Sequence, residues 1–239
     1  MNIKNYGGQF KMKVVILAGG EGKRLRPYTN ILPKPLLPIG EKPILEVILE
    51  RLKKQGIIDV VLATNYKDHL IKTFFGSGEE FGMKIQYSGE EFFLGTAGPL
   101  KSLEGTLGED FFVMNGDLLN KVDIWKVLDF HKKNHGDMTI ITKKIKNPIN
   151  YGVIENKGIL AVEWKEKPEI AFEISTGMYM LNKKVLKHIP PKTAFNMNDL
   201  FAEVLKNDGR VLRFPYRGEW IDIGRIEDYQ KANLKEGKR

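Results

Sequence analysis

The stretch Met12-Lys13-Val14-Val15-Ile16-Leu17-Ala18-Gly19-Gly20-Glu21-Gly22-Lys23-Arg24-Leu25-Arg26-Pro27 decides the fold. Met12 to Leu17 is short, largely β-branched and bounded by a glycine pair, which predicts a buried strand. Three glycines within four positions follow at once. Glycine permits positive φ and lets backbone N–H groups approach a phosphate closely. Two familiar phosphate loops do not fit. A Walker A loop needs Gly at 17 and Ser or Thr at 24, where Leu17 and Arg24 stand, and a dinucleotide fingerprint from Gly20 needs Gly or Ala at Leu25. The loop is therefore of another kind, with its cations built in; a flexible surface turn is the plainer alternative.

Outward from this loop, apolar strand-sized runs alternate with amphipathic stretches. Helices are expected at 43–55 (Pro43 first, Ile44, Ile48, Leu49 and Leu52 as the stripe), 68–75, from 96 to 103, and after Asp123 with Ile124, Val127 and Leu128 inward. Strands are expected at 57–63, 83–87 and 111–114. Strand followed by helix, repeated, predicts a parallel α/β sheet. Beyond Asn134 strands dominate (137–146, 152–155, 159–165, 173–181), followed by helices at 198–205 and 226–234. The expected fold is a Rossmann-like three-layer α/β/α domain with a mixed, mostly parallel central sheet. Residues 1–11 read as a flexible lead-in. Residues 12–239 read as one domain: a front lobe to about 120 that looks like nucleotide-binding α/β, a mixed β/α lobe to about 225, and a closing helix at about 226–236.

Composition narrows the function. The 239 residues are 42% hydrophobic and 28% charged, as in soluble globular chains. The absence of cysteine excludes disulfide scaffolds, thiolate zinc sites, iron–sulfur clusters and cysteine nucleophiles. No run approaches a membrane span and no signal-type apolar segment opens the chain, so a cytoplasmic, membrane-free protein is expected. The net charge of +8 attracts polyanions, but no block of five or more Lys/Arg appears. Nucleic acid, an anionic membrane surface and phosphorylated small molecules are the candidate partners, and a solvated Lys-rich surface is the plainer reading of most of these residues.

Three further segments carry chemistry. Pro33-Lys34-Pro35 pins the backbone around one cation, although a proline-rich surface turn would look the same. Asn115-Gly116-Asp117 ends a predicted strand, where open α/β sheets bind ligands; the same tripeptide is also a common turn. Asp222 sits in an apolar run, Trp220-Ile221-Asp222-Ile223-Gly224, and a buried carboxylate needs a partner. A cation such as Mg²⁺ shared with Asp117 would supply one, as would a salt bridge to a lysine.

Taken in order, Gly19-Gly20-x-Gly22-x-Arg24-Leu25-x-Pro27, Pro33-Lys34-Pro35, Leu94-Gly95-Thr96-Ala97-Gly98, Gly116-Asp117, Glu166-Lys167-Pro168 and Trp220-x-Asp222 resemble the sugar-1-phosphate nucleotidyltransferases over residues 12 to about 235. The likeness is greatest to the GDP-mannose pyrophosphorylase-like branch and to bacterial guanylyltransferases for amino-sugar or heptose 1-phosphates. The resemblance implies an enzyme that joins a nucleoside triphosphate, here GTP, to a hexose or amino-hexose 1-phosphate. Thymidylyl, uridylyl or cytidylyl transfer, or a non-catalytic nucleotide-sugar-binding subunit, are the alternatives.

Roles carry over by position. Arg24, Lys34 and Asp117 would be catalytic. Leu17, Ala18, Gly19, Gly20, Gly22, Lys23, Arg24, Glu91, Gly95, Thr96, Ala97, Gly98 and Gly116 would bind nucleotide. Gly152, Glu166, Lys167, Ser175, Thr176 and Gly177 would bind the sugar phosphate. Asp117 and Asp222 would hold Mg²⁺. Relatives are often dimers or larger homo-oligomers, so self-association is expected; a nucleic-acid partner and a second activity from the acyltransferase or lectin-like β-helix tail of some relatives are not expected. Two positions depart from the family pattern: Lys23 where Thr is usual, and Ser175-Thr176-Gly177 where many members have Asn-Ala-Gly.

Other residues read as structural. His131 and His135 have metal-ligand spacing but no third ligand, and His131 is expected as a helix-edge histidine. The pairs Phe74–Phe75, Phe92–Phe93 and Phe111–Phe112 are expected in the core, with Phe92 or Phe93 near the nucleotide. Trp164 or Trp220 could floor a sugar site.

Overall fold

The computed structural model describes residues 12–89 and 93–236. In chain order, β1 (Lys13–Leu17) leads into single 3-10 turns and the small ribbon of β2 (Pro38–Ile39) and β3 (Lys42–Pro43). Then come α1 (Ile44–Lys53), β4 (Asp59–Thr64), α2 (Asp68–Phe75), β5 (Lys84–Gly89), α3 (Gly98–Ser102), β6 (Asp110–Asn115), β7 (Leu118–Asn120) and α4 (Ile124–Lys133). The second half holds β8 (Met138–Pro148), β9 (Val153–Lys157), β10 (Leu160–Lys165), β11 (Glu169–Asn182), α5 (Met197–Lys206), β12 (Val211–Pro215), β13 (Trp220–Asp222) and α6 (Ile226–Glu236).

The central sheet has seven strands in the order β12-β8-β11-β6-β1-β4-β5. Only β11 runs against the others, antiparallel to both β6 and β8. Strand β1 lies inside it, parallel to β4 and β6. Val14, Val15 and Ile16 are all fully buried, because both sheet faces are covered, as parallel strands require. Alternation along the strand divides them: Val14 and Ile16 join one apolar cluster with α1, α2 and α4, and Val15 joins the other with α3 and α5. Each such burial stabilises by ~1.5–3 kcal/mol relative to exposure. This is the expected α/β/α sandwich.

The boundaries shift where local propensity meets tertiary context. Pro43 ends β3 rather than opening α1, whose predicted stripe Ile44, Ile48, Leu49 and Leu52 is buried. The helix expected from 96 begins only at Gly98, because Thr96 and Ala97 are bound elsewhere. β7 and β12 lie outside the expected strands, and long-range pairing makes them: β12 extends the sheet beside β8, and β7 pairs with β13, which falls on the apolar run around Asp222.

His131 is not at a helix edge in contact with solvent. It is buried, with Nδ1 2.7 Å from Thr139 Oγ1 and Nε2 3.5 Å from Asp110 Oδ1, so it ties α4 to β8 and β6. His135 lies past the end of α4 with φ of 52°. Among the described residues, no group of three or more His, Cys, Asp or Glu gathers into a metal cluster.

Past Thr142 and Ser175, β8 and β11 continue as a two-stranded arm beyond the carboxyl edge of β6, carrying the β9–β10 hairpin. The arm exposes Tyr151, Ile159, Leu160, Val162 and Trp164.

Candidate active site

A cleft of about 500 Å³ opens at the carboxyl ends of β1, β4 and β6. β4 and β6 leave β1 on opposite sides, which makes this the switch point where open α/β sheets bind ligands. The loop after β1 forms one wall, from Leu17 and Ala18 through Gly19, Gly20 and Gly22 to Lys23 and Arg24.

The loop's shape follows from its residues. Gly22 takes a left-handed φ of 64°, and a Cβ there would lie 2.8 Å from Thr29 Cγ2. The buried Thr29 hydroxyl donates to Gly22 O at 3.0 Å. Leu25 N donates to the same carbonyl and starts a single 3-10 turn. Leu25 is fully buried and anchors the turn, while Arg24 is exposed at the cleft. Lys23 pairs with Glu21 at 3.2 Å, an exposed contact of little energy.

The loop after β6 locks onto the first. Gly116 N donates to Leu17 O at 2.8 Å, and a Cβ on Gly116 would come within 2.9 Å of that oxygen. Glycine is therefore required by backbone packed on backbone. The next residue, Asp117, forms an ion pair with Lys34 Nζ. Lys34 opens a 3-10 turn between Pro33 and the buried Pro35, closed by Leu36 N to Pro33 O at 2.9 Å. The paired prolines thus aim a cation, as their spacing predicts.

Asp222 arrives from 105 positions further along the chain. β13 pairs with β7 in the register Asp222 to Leu118, and Ile223 N donates to Asp117 O at 3.0 Å. Burial pushes the Asp222 carboxyl above its ordinary pKa and the neighbouring Asp117 charge adds to that, while Lys34 and Arg24 pull the other way. Oδ1 of Asp117 and Oδ1 of Asp222 are both buried with no hydrogen-bond partner. Two adjoining carboxylates, each with an unpaired buried oxygen, suit a hard cation that also takes phosphate oxygens. The lysine partner and the cation thus need not exclude each other, because Asp117 uses Oδ2 for Lys34 and leaves Oδ1 over.

The far wall is Phe93, Gly95, Thr96 and Pro99. Ala97 and Gly98 are buried behind it and do not line the cleft. Glu91 and Phe92 lie outside the described residues. Sequence reading missed Asn65 and Gly224, which also line the cleft. The rule that flagged Asn115 would have found Asn65, since both follow buried strands. Gly224 had no local signal: an added Cβ there would lie 3.3 Å from Arg24 Nη2, a contact made only by folding.

The sugar-side candidates lie apart from this cleft's lining. Gly152 packs against the indole of Trp164, whose Nε1 donates to Glu166 Oε2 at 3.0 Å. Lys167 follows with φ of 43°. Ser175 Oγ is 3.1 Å from Tyr179 OH, and Gly177, with φ of 75°, abuts the Asn115 amide. Thr176 is buried, and its hydroxyl donates to Ile141 O while its carbonyl accepts from Trp220 Nε1. Its side chain is thus committed to the strand bulge rather than turned to a ligand, and Trp220 is a partly buried tether.

Residues 13–239 match the family model for nucleotidyl transferase. The chain belongs to that family. Among curated proteins, this nucleotidyl transferase is 37% identical over 227 residues to a mannose-1-phosphate guanyltransferase of Emericella nidulans, covering 91% of the chain and 62% of that protein. It is 36% identical over 232 residues to the Saccharomyces cerevisiae mannose-1-phosphate guanyltransferase, covering 93% and 64%. The chain thus spans about three fifths of the length of these curated relatives. Among solved structures, it superposes on a putative glucose-1-phosphate thymidylyltransferase from Bacillus anthracis in complex with a sucrose, with a TM-score of 0.77 and 28% identity, covering 95% and 96% of the two chains. The HddC protein of Yersinia pseudotuberculosis complexed with GMP-PN gives a TM-score of 0.75 at 28% identity, covering 94% and 99%. Among the described residues of this nucleotidyl transferase, no helix is long and apolar enough to cross a membrane.

Proposed function

We propose that this nucleotidyl transferase moves a nucleoside monophosphate from a nucleoside triphosphate, GTP by preference, to a hexose or amino-hexose 1-phosphate in the cytoplasm. The observation that carries the reading is the meeting of Arg24, Lys34, Asp117 and Asp222 around a glycine-walled cleft. Guanylyl transfer in relatives of this length of match supports the choice of base.

The chemistry asks for little beyond placement and charge. A sugar-phosphate oxygen bonds to the α-phosphorus, and the bond from that phosphorus to the β-bridging oxygen breaks in line. Pyrophosphate leaves with the electron pair. The attacking oxygen is already anionic, so no general base is needed; positioning and charge neutralisation do the rest. The amides of Gly19, Gly20 and Gly22 cradle phosphate. Arg24, exposed at the loop, meets the triphosphate, and Lys34 reaches the α-phosphate. Asp117 and Asp222 would hold Mg²⁺, which supplies charge neutralisation on the phosphates. Gly152, Glu166, Lys167, Ser175 and Gly177 would receive the sugar phosphate, with Thr176 holding the bulge that presents its neighbours.

The test is pyrophosphate release from each of the common nucleoside triphosphates against a panel of sugar 1-phosphates with Mg²⁺. A preferred pair bears the reading out. No release from any pair, with a nucleotide sugar still raising the melting temperature, would replace it with a non-catalytic nucleotide-sugar-binding subunit.

Phe93 is 56% exposed at the cleft wall, a placement that stability does not call for and base stacking does. Phe93→Ala should raise KM for the triphosphate about 5- to 30-fold, the equivalent of ~1–2 kcal/mol of stacking, with unchanged thermal stability. An unchanged KM would remove Phe93 from the nucleotide site.

Self-association is part of the proposal. The exposed apolar side chains of the arm are the face it would bury, since patches of this kind mark contact surfaces. Sedimentation should give a dimer or larger species for the native chain and a monomer for Leu160→Lys combined with Val162→Lys. A native monomer at micromolar concentration would end that expectation.

A further inference from the structure

The wall formed by Gly95 and Thr96 is hydrogen-bonded to the segment that enters α5, about a hundred positions later in the chain. Ala97 N and Gly98 N both donate to Phe195 O at 2.9 Å, and Phe195 N returns a hydrogen bond to Leu94 O at 2.9 Å. Met197 N, the first amide of α5, donates to Thr96 Oγ1 at 2.8 Å. The approach is so close that a Cβ on Gly95 would lie 2.6 Å from Phe195 O and 2.7 Å from Asn196 Oδ1, and one on Gly98 would lie 2.9 Å from Thr193 O. The glycines of this motif are thus spent on docking one backbone against another, and the Thr96 hydroxyl accepts from a helix end as well as lining the cleft.

A reciprocal capping box closes the helix end: the Asn196 side chain accepts from the Asp199 amide, and Asp199 Oδ2 accepts from Asn196 N at 2.8 Å, with the carboxylate further stabilised there by the unpaired amides and the helix dipole. Leu200 and Val204, buried in the core, hold the rest of α5. A carboxylate outside the cleft therefore sets where Phe195 O and Met197 N stand, and these set where Gly95 and Thr96 stand.

We propose that Asp199 is a positioning residue for nucleotide binding, acting through the entry to α5 on the Gly95–Gly98 loop. The effect on nucleotide rests on the proposed function above; the docking itself does not. Asp199→Ala should raise KM for GTP about 3- to 10-fold, the range set by losing a helix-cap hydrogen bond. kcat and KM for the sugar phosphate should stay within about two-fold. Asp199→Asn, which keeps an acceptor oxygen, should recover most of the loss. Hydrogen exchange on the whole chain without ligand supplies the independent arm: the amides of Ala97 and Gly98 should lose protection in Asp199→Ala while those of β1 and β6 keep theirs.

A faster exchange with unchanged KM for GTP would leave Asp199 a helix cap only and overturn the proposal. So would unchanged exchange. If Asp199→Ala does not fold, Asp199→Asn against Asp199→Ser reads the same cap, with Asn expected to retain protection and KM for GTP and Ser, whose shorter side chain reaches the Asn196 amide less well, to lose part of both; equal behaviour of the two overturns it. A native chain that binds no nucleoside triphosphate would sink the functional reading instead, and the exchange result would still stand or fall alone.

Discussion

Asp117→Ala should reduce kcat by about 10²-fold or more while leaving the chain folded, the scale typical of removing one group that acts on charge in the transition state. Asp117 follows Gly116 directly, and the Gly116 N to Leu17 O bond at 2.8 Å fixes that backbone against the phosphate loop. The carboxylate has two tasks on its two oxygens. Oδ2 holds Lys34, and Oδ1 is buried without a partner beside Asp222. Loss of the first frees the lysine that should meet the α-phosphate. Loss of the second takes away half of the pair that suits a cation. The substitution should also let the Asp222 carboxyl return toward its ordinary pKa, because burial and the Asp117 charge together hold it up. A second readout follows that needs no turnover: addition of Mg²⁺ with GTP should raise the melting temperature of the native chain and have much less effect on the variant. Undiminished activity in Asp117→Ala would refute the site as drawn. Lys34→Ala combined with Asp117→Ala should cost much less than the sum of the two single losses, since ion-paired groups couple.

Phe112→Ala should be the most destabilising of the aromatic truncations, at about 3–5 kcal/mol. Phe112 is 1% exposed on β6, opposite Val14 on one side and Met180 on the other. The ring fills the layer between the sheet and the helices of its cluster, and a cavity there cannot collapse because strands border it on both sides. For a chain of this size, ~2–4 °C per kcal/mol gives a fall in melting temperature of about 6–20 °C. Phe74, at 47% exposure and resting on Phe75 and Phe81, should lose less than about 1 kcal/mol on the same truncation, as surface side chains do. Thermal melts of the two variants decide between a core and a stacking role. Near-equal shifts would show that the ring of Phe112 does not carry the core.

The glycine loop after β1 was legible because its information is local. Gly19, Gly20, Gly22 and Arg24 follow a strand of 5 residues, and backbone freedom plus adjacent charge is chemistry that a short window displays. The same holds for Pro33-Lys34-Pro35, whose prolines restrict the backbone whatever surrounds them. Phe111 and Phe112 were readable as core from pattern, although neighbouring positions on a strand send them to opposite clusters.

The sugar side was legible only as motifs. Thr176 carries a hydroxyl that suits a ligand on paper, and the β11 bulge turns it to Ile141 O. His131 sat at metal-ligand spacing from His135, and the turn after α4 separates them while Thr139 and Asp110 take up the ring.

The sequence by itself determined the alternating strands and helices, the glycine loop after β1 and the identity of the cations and carboxylates available for phosphate chemistry, since each depends on neighbours within a few residues. Only the tertiary structure decided that Asp222 stands beside Asp117, that Gly224 leaves room for the Arg24 guanidinium and that Phe195 and Met197 carry the Gly95–Thr96 wall. Those contacts join residues far apart in the chain, and most of the hydrogen bonds that close them run between backbone atoms, which carry no residue-specific signal in the sequence.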